Sequence, residues 1–151
     1  MKINRWILLV TGLALMQTAV AQDTVADRWL SFEGRNAPRL VGHRVAERFA
    51  GSAHFNYGRP GPPKYIYYPE ACTWYGALTY ARTSGDTAMA RRLTERFEPL
   101  FSVDAAMVPP AVHVDYTVFG IIPFELAIQT HEPRYLEMAR HSADAQWQID
   151  A

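Results

Sequence analysis

The spacing of apolar residues predicts an all-α chain. After Asn36, apolar positions recur every three or four residues through most of the sequence, which is the period of an α-helix with a buried face. Residues 56–63 are rich in glycine and proline and residues 103–114 contain a Pro-Pro pair, so both segments are predicted loops. The five predicted helices run from a cap at Asn36 to Gly51, from Pro69 to Thr83, from Thr87 to Phe101, from Tyr116 to Gln129, and from Pro133 towards the chain end.

The predicted helices differ in how much of their surface is apolar. The first carries one apolar stripe opposite its charged residues, formed by Leu40, Val41, Val45 and Phe49. The third, with Asp86 as its predicted cap, is half exposed because arginine and glutamate occupy the side opposite its apolar stripe. The fourth is apolar almost all the way round, so it is predicted to be buried on every side, with a kink at Pro123.

Two stretches of the sequence repeat each other at an interval of about 45 residues. Residues 74–78 resemble residues 118–122, and the polar turn 84–86 resembles the turn 130–132. The repeated unit is a buried helix, a short polar turn and an amphipathic helix, which together make an αα-hairpin. Such hairpins bury their faces by stacking in an open solenoid or by closing into a toroid. The apolar fourth helix favours the toroid, because the inner helices of a toroid are packed on both sides.

The first 21 residues have the organisation of a secretory signal peptide. Lys2 and Arg5 precede an apolar run from Trp6 to Leu15, and Ala19-Val20-Ala21 supplies the small residues of a cleavage site. The apolar run is shorter than the roughly 20 residues that a transmembrane helix needs. We therefore predict cleavage after Ala21, release from the membrane, and a secreted or periplasmic mature chain over residues 22–151.

Composition excludes several classes of protein. The chain is 49% hydrophobic and 20% charged, which is enough apolar surface for a folded core and argues against intrinsic disorder. The 15 basic and 15 acidic residues balance, which argues against a nucleic-acid-binding protein. Cys72 is the only cysteine and the five histidines are scattered, so neither a disulfide scaffold nor a metal site is predicted. The sequence contains no motif for a cofactor.

Candidate chemistry concentrates where the two long loops enter the second and fourth helices. In a ring of hairpins these junctions lie at the same end of the barrel, so their side chains are expected to meet. The first junction supplies Tyr68, Trp74 and Tyr75, whose flat faces suit a sugar ring, although a helical core uses the same residues for packing. The same junction also carries Tyr65 and Tyr67, and the second carries His113, Asp115, Tyr116 and Thr117. Glu70 lies in the first turn of the second helix, where the helix dipole alone accounts for an acid.

Asp115 is the sharpest candidate for proton transfer. A carboxyl group beside aromatic rings is what acid catalysis on a sugar requires. The structural alternative is a helix N-cap, with the Asp115 carboxylate accepting the amide of Val118; one residue can do both. His113, two positions earlier, is expected either to tune Asp115 or to hold the loop.

Four stretches of sequence together resemble one enzyme family. They are residues 68–76 (YPEACTWYG), 113–123 (HVDYTVFGIIP), 129–136 (QTHEPRYL) and 143–147 (ADAQW). The chain from Arg35 onwards is similar to the unsaturated glucuronyl and rhamnogalacturonyl hydrolases of glycoside hydrolase families 88 and 105. The resemblance implies an (α/α)6 toroid of six helical hairpins, of which about two and a half are present.

The resemblance also implies a substrate and a reaction. Members of these families act on oligosaccharides that end in a 4,5-unsaturated uronic acid. An acid protonates the double bond, water adds to the neighbouring carbon, and the hemiketal collapses to release the sugar. Asp115 matches the first of the two important acids, while Tyr68, Trp74, Tyr75 and His113 fall in the region that lines the sugar pocket. The second acid belongs to a Trp-x-Asp-Asp-like motif that is absent from this sequence.

The missing motif and the small number of hairpins lead us to expect an N-terminal part of a longer hydrolase. We expect such a part to expose apolar surface, to be poorly soluble and to be inactive alone. One alternative is a complete short helical-repeat module that binds a peptide or glycan on its concave face. Another is part of a different toroid enzyme, such as a sugar epimerase or lyase.

Overall fold

The computed structural model describes residues 34–147, and within them all regular structure is helical. The predicted signal peptide and its cleavage site lie outside the described residues. The α-helices are α1 (Pro38–Ala50), α2 (Tyr68–Ser84), α3 (Thr87–Phe97), the single turn α4 (Val114–Thr117), α5 (Ile121–Thr130) and α6 (Pro133–Gln146). Short 3-10 helices cover Glu98–Phe101, Ala105–Met107 and Val118–Gly120. None of the helices over residues 34–147 is both long and apolar enough to cross a bilayer.

The described residues fall into two units, which divide between Val41 and Gly42. In the first, the described residues are a turn at Gly34 and the first four residues of α1. The second unit contains the two predicted αα-hairpins. Helix α2 pairs with α3, α5 pairs with α6, and α2 also packs against α5. Helices α2 and α5 are therefore the central pair of this unit, as the predicted repeat requires.

Sequence signals for the hairpin turns are confirmed. Gly85 ends α2 in the left-handed conformation, with φ of 71°, and its N–H reaches the carbonyls of the last turn. The Asp86 carboxylate then accepts the Met89 amide at 3.0 Å and caps α3. Pro133 occupies the first turn of α6, where its missing N–H costs nothing.

The predicted fourth helix is not continuous. The segment starts as the single turn α4, tightens into a 3-10 turn over Val118–Gly120, and only then becomes α5. Pro123 explains the break, because it has no N–H to donate to the Phe119 carbonyl and its ring crowds that carbonyl. The predicted kink is therefore a change of helix type one turn before the proline.

Two predicted apolar faces are only partly buried. On α5, Phe124 and Ile128 are exposed, because no described element covers that side. The helix is therefore not buried on every side within residues 34–147, and the expectation that this chain exposes apolar surface is confirmed there. On α1, the exposed Leu40, Val41 and Val45 depart from the predicted stripe. The buried face of α1 in the second unit instead contains Ala46 and Phe49.

An aromatic cluster forms the core between the two hairpins. The Phe97 ring lies 5.6 Å from Trp74, 5.8 Å from Phe119 and 5.8 Å from Tyr135, measured between ring centroids. Each of these four side chains is at most 1% exposed. Phe97 thus contacts one residue from α2, one from the 3-10 turn before α5 and one from α6, which fixes the hairpins against each other.

Candidate functional site

An open pocket of about 390 Å³ lies where the two long loops enter α2 and α4. Its volume is within the usual range of small-molecule sites. Three predicted site residues line it together, namely Tyr68, His113 and Asp115. Tyr67 and Tyr116, which the sequence also places at the two junctions, line it as well, together with Tyr57, Arg59 and Pro69. Residues from both loop junctions therefore lie together at this pocket, as the sequence predicted.

A tight turn carries Arg59 to the pocket. Tyr57 and Gly58 have φ of 48° and 78°, and the Arg59 amide donates to the Asn56 carbonyl at 3.1 Å, which closes the turn. The Asn56 side-chain amide donates in turn to the Arg59 carbonyl at 2.9 Å. Arg59 was not predicted from the sequence; its position after a Gly in a proline-rich loop is the only signal that could have drawn attention to it.

Tyr67 and Tyr116 form one wall of the pocket, and Tyr65 packs against both of their rings at steep angles. The Arg59 guanidinium carbon lies 4.4 Å from the centroid of the Tyr67 ring. Tyr65 lies 4.7 Å from Tyr67 and 5.0 Å from Tyr116, between ring centroids, and its hydroxyl donates to that of Tyr116 at 2.8 Å. This hydrogen bond raises the pKa of Tyr65, so the phenol stays neutral. The wall offers both apolar ring surface and hydroxyl groups.

The structure gives Asp115 a different place in its helix from the one predicted. His113 is the N-cap of α4, and its Nδ1 accepts the Asp115 amide at 3.1 Å. Asp115 therefore lies inside the first turn, and its carboxylate is not the cap that was expected to accept the Val118 amide. That carboxylate is 62% exposed and lies 3.7 Å from His113 Nδ1. Its oxygens are open to the pocket and to solvent.

Two other predicted site residues do not line the pocket. Trp74 is fully buried in the aromatic core, and its indole N–H donates to the Leu93 carbonyl at 3.3 Å. Tyr75, on α2, is 39% exposed but is not among the residues that line the pocket. Trp74 therefore has the core-packing role that the sequence analysis gave as the alternative to sugar binding.

A buried ionic cluster lies behind the loop that precedes α2. The Glu70 side chain has no exposed surface, and its carboxylate receives His54 Nδ1 at 2.6 Å, the Phe55 amide at 3.2 Å and the Arg96 guanidinium at 3.1 Å. Burial acts to raise the pKa of Glu70, but these three hydrogen bonds outweigh it and the pKa is lowered overall. The sequence predicted only that Glu70 lies in the first turn of a helix and did not predict the ionic cluster.

Arg96 links this cluster to the aromatic core. Its guanidinium carbon lies 4.8 Å from the Phe49 ring and 5.1 Å from the Trp74 ring, and its Nη1 donates to the Ser52 carbonyl at 2.5 Å. The cluster therefore connects α1, the following loop, α2 and α3. Its polar groups pair with one another except for Arg96 Nε, which is buried without a hydrogen-bond partner, and the cluster has the character of a structural element.

A second opening of about 700 Å³ lies at the other ends of α2 and α5, between the two hairpin turns. Arg134 lies on its edge and donates to the Glu98 carboxylate at 2.8 and 2.9 Å, and Tyr135 also donates to Glu98. None of the predicted site residues lines this groove. Over residues 34–147 no three histidine, cysteine or acidic side chains are grouped so that they could hold a metal ion.

Comparison with known proteins gives no match, whether with protein-family models, with curated proteins or with solved structures.

Proposed function

We propose that this chain is part of a glycoside hydrolase that acts on oligosaccharides ending in a 4,5-unsaturated uronic acid. In this proposal the pocket at Asp115 receives the unsaturated sugar. The α2–α3 and α5–α6 hairpins are then two of the hairpins of an (α/α)6 toroid, with α2 and α5 in its inner ring.

One observation carries the proposal. Tyr68, from the start of α2, lines the same pocket as His113 and Asp115 from the start of α4, about 45 positions later in the sequence. The sequence alone indicates sugar binding or proton transfer for these three residues. Their convergence supports a shared site, since packing alone does not require two exposed polar side chains and an exposed ring to meet.

The chemistry of the pocket suits a sugar acid. Tyrosine rings offer flat surfaces to the C–H faces of a pyranose, and their hydroxyls offer hydrogen bonds to its oxygens. The Asp115 carboxyl is open to a ligand, as a group that transfers a proton must be. Arg59 adds a positive charge that matches the carboxylate of a uronic acid.

The proposal assigns Asp115 to the first of the two acids of this reaction. The second acid, which belongs to a Trp-x-Asp-Asp-like motif, is absent from the 151 residues. We therefore expect this chain to bind the unsaturated sugar without turning it over. Binding is the property to measure.

Isothermal titration calorimetry on the purified chain tests the proposal, after circular dichroism has established that it is helical. The ligands are two disaccharides with unsaturated glucuronyl and galacturonyl ends, each compared with its saturated counterpart. We expect at least one unsaturated disaccharide to bind, and Asp115→Asn to weaken it about tenfold, since a hydrogen bond to a charged group contributes about 1.5 kcal/mol. A folded chain that binds neither disaccharide contradicts the proposal.

A further inference from the structure

We infer that Arg59 makes the pocket selective for a sugar that carries a free carboxylate, by pairing with that carboxylate. The inference rests on the proposed function and names the residue that decides its substrate class. The sequence and its family resemblance assign Arg59 no role.

The Arg59 charge is available to a ligand. The described residues place no carboxylate within ion-pair distance of its guanidinium, whereas Arg82, Arg96 and Arg134 each pair with a glutamate. The contacts of Arg59 are instead with tyrosines: its guanidinium lies over the Tyr67 ring, and hydrogen bonding to Tyr67 and Tyr65 raises its pKa. A guanidinium has five N–H donors, so Arg59 can bond to these phenols and still donate to a carboxylate.

The loop holds Arg59 in position before a ligand arrives. Two successive left-handed residues, Tyr57 and Gly58, and the hydrogen bonds to Asn56 fix the backbone on both sides of Arg59. Asn56 also donates to the Pro60 carbonyl at 3.3 Å, which holds the residue after Arg59 in place. A side chain that starts from a fixed backbone loses less entropy on binding, so its ion pair yields more affinity.

Charge balance in the pocket explains why Arg59 decides the selectivity. Asp115 is the one acid among the lining residues, and alone it would repel a second carboxylate. The positive charge of Arg59 attracts a carboxylate on the loop side of the pocket and so offsets the repulsion by Asp115. A uronic acid can then direct its carboxylate to Arg59 while its ring faces Asp115 and the tyrosines.

The test compares an unsaturated uronyl disaccharide with its methyl ester, which keeps the ring and the double bond but removes the negative charge. Affinities are measured by calorimetry for the wild-type chain, Arg59→Gln and Arg59→Lys. We expect the wild type to prefer the free acid about tenfold or more. Arg59→Gln should bind acid and ester about equally, and Arg59→Lys should keep part of the preference, because lysine retains the charge without the planar fork.

Arg140→Gln is the matched control, because it removes one exposed positive charge from α6, outside the pocket. It should leave the preference for the acid unchanged. If Arg59→Gln keeps the wild-type preference, or if the wild type binds acid and ester equally, Arg59 does not select the carboxylate while the proposed function stands. If neither ligand binds the folded wild type, the proposed function fails and this inference fails with it.

Discussion

Glu70 Oε1 lies 2.6 Å from Nδ1 of His54, inside a region where the Glu70 side chain has no contact with solvent. The pair joins the loop after α1 to the first turn of α2, immediately beside Pro69 and Tyr68 of the pocket. Arg96 supplies the compensating positive charge from α3. The cluster thus holds the pocket-bearing loop against the two helices behind it.

Replacing Glu70 should destabilise the fold strongly. Glu70→Gln keeps the shape of the side chain but leaves the buried Arg96 guanidinium without its counter-charge. Removing one partner of a buried ion pair lowers the free energy of unfolding by about 3 kcal/mol or more. Urea unfolding followed by circular dichroism measures this change.

Glu47→Gln provides the control for Glu70→Gln. Glu47 also pairs with an arginine, Arg92 at 2.6 Å, but both side chains are more than 40% exposed. Solvent screens this pair, so its loss should leave the free energy of unfolding nearly unchanged. Equal effects of the two substitutions would show that the Glu70 cluster contributes no more than a surface ion pair.

The Glu70 cluster also predicts acid sensitivity. The pKa of Glu70 is lower in the folded chain than its ordinary value, so ionised Glu70 favours the folded state. This contribution is complete above the unfolded pKa of about 4.3 and is lost as the pH falls through the lower folded pKa. Thermal melting from pH 6 down to pH 2 should therefore show a steeper loss of stability below about pH 4 for the wild type than for Glu70→Gln. Parallel curves for the two proteins would rule out this role of Glu70.

The two glycines that occupy equivalent positions in the sequence repeat should respond in opposite directions to alanine. A Cβ at Gly120 would lie 2.7 Å from Ser142 Cβ, so Gly120→Ala forces α6 away and should cost about 1–3 kcal/mol. A Cβ at Gly76, inside α2, meets nothing within 4 Å. Gly76→Ala should therefore stabilise the chain by about 0.5–1 kcal/mol through helix propensity. Chemical unfolding of both variants checks the contrast, and a loss of stability in both would contradict it.

Substitutions of His113 and Asp115 should differ in their effect on the free energy of unfolding. His113→Ala removes the cap of α4 and should cost about 1 kcal/mol. Asp115→Asn removes an exposed charge that caps nothing, so the free energy of unfolding should change by less than about 0.5 kcal/mol. Thermal denaturation of both variants measures the difference. If Asp115→Asn proves as destabilising as His113→Ala, the Asp115 carboxylate supports the helix after all.

Much of the fold follows from local signals in the sequence. The helix period, the Gly85-Asp86 turn and Pro133 predict where helices begin and end, because caps and turns depend on neighbours within a few residues. The meeting of Tyr68 with His113 and Asp115 also followed from the hairpin repeat. These predictions needed no knowledge of distant contacts.

The remaining features depend on contacts between distant residues. The burial of Glu70 is set by His54 and Arg96, which lie 16 and 26 positions away, and the helix pattern contains no sign of either. Trp74 could have served a pocket or the core equally well from its position on α2, and only the packing of Phe49 and Phe97 against it places it in the core. Arg59 reaches the pocket through loop geometry, which periodicity does not describe.

The most direct test of the central claim is a residue-resolved NMR titration of the ¹⁵N-labelled chain with an unsaturated uronyl disaccharide. We expect the amide signals of Arg59, Tyr68, His113 and Asp115 to shift together and to saturate with one dissociation constant. Signals of residues that line the other groove, such as Glu95 on α3 and Thr130 at the end of α5, should stay in place. Shifts confined to the groove, or no shifts in a folded chain, would contradict a sugar site at Asp115.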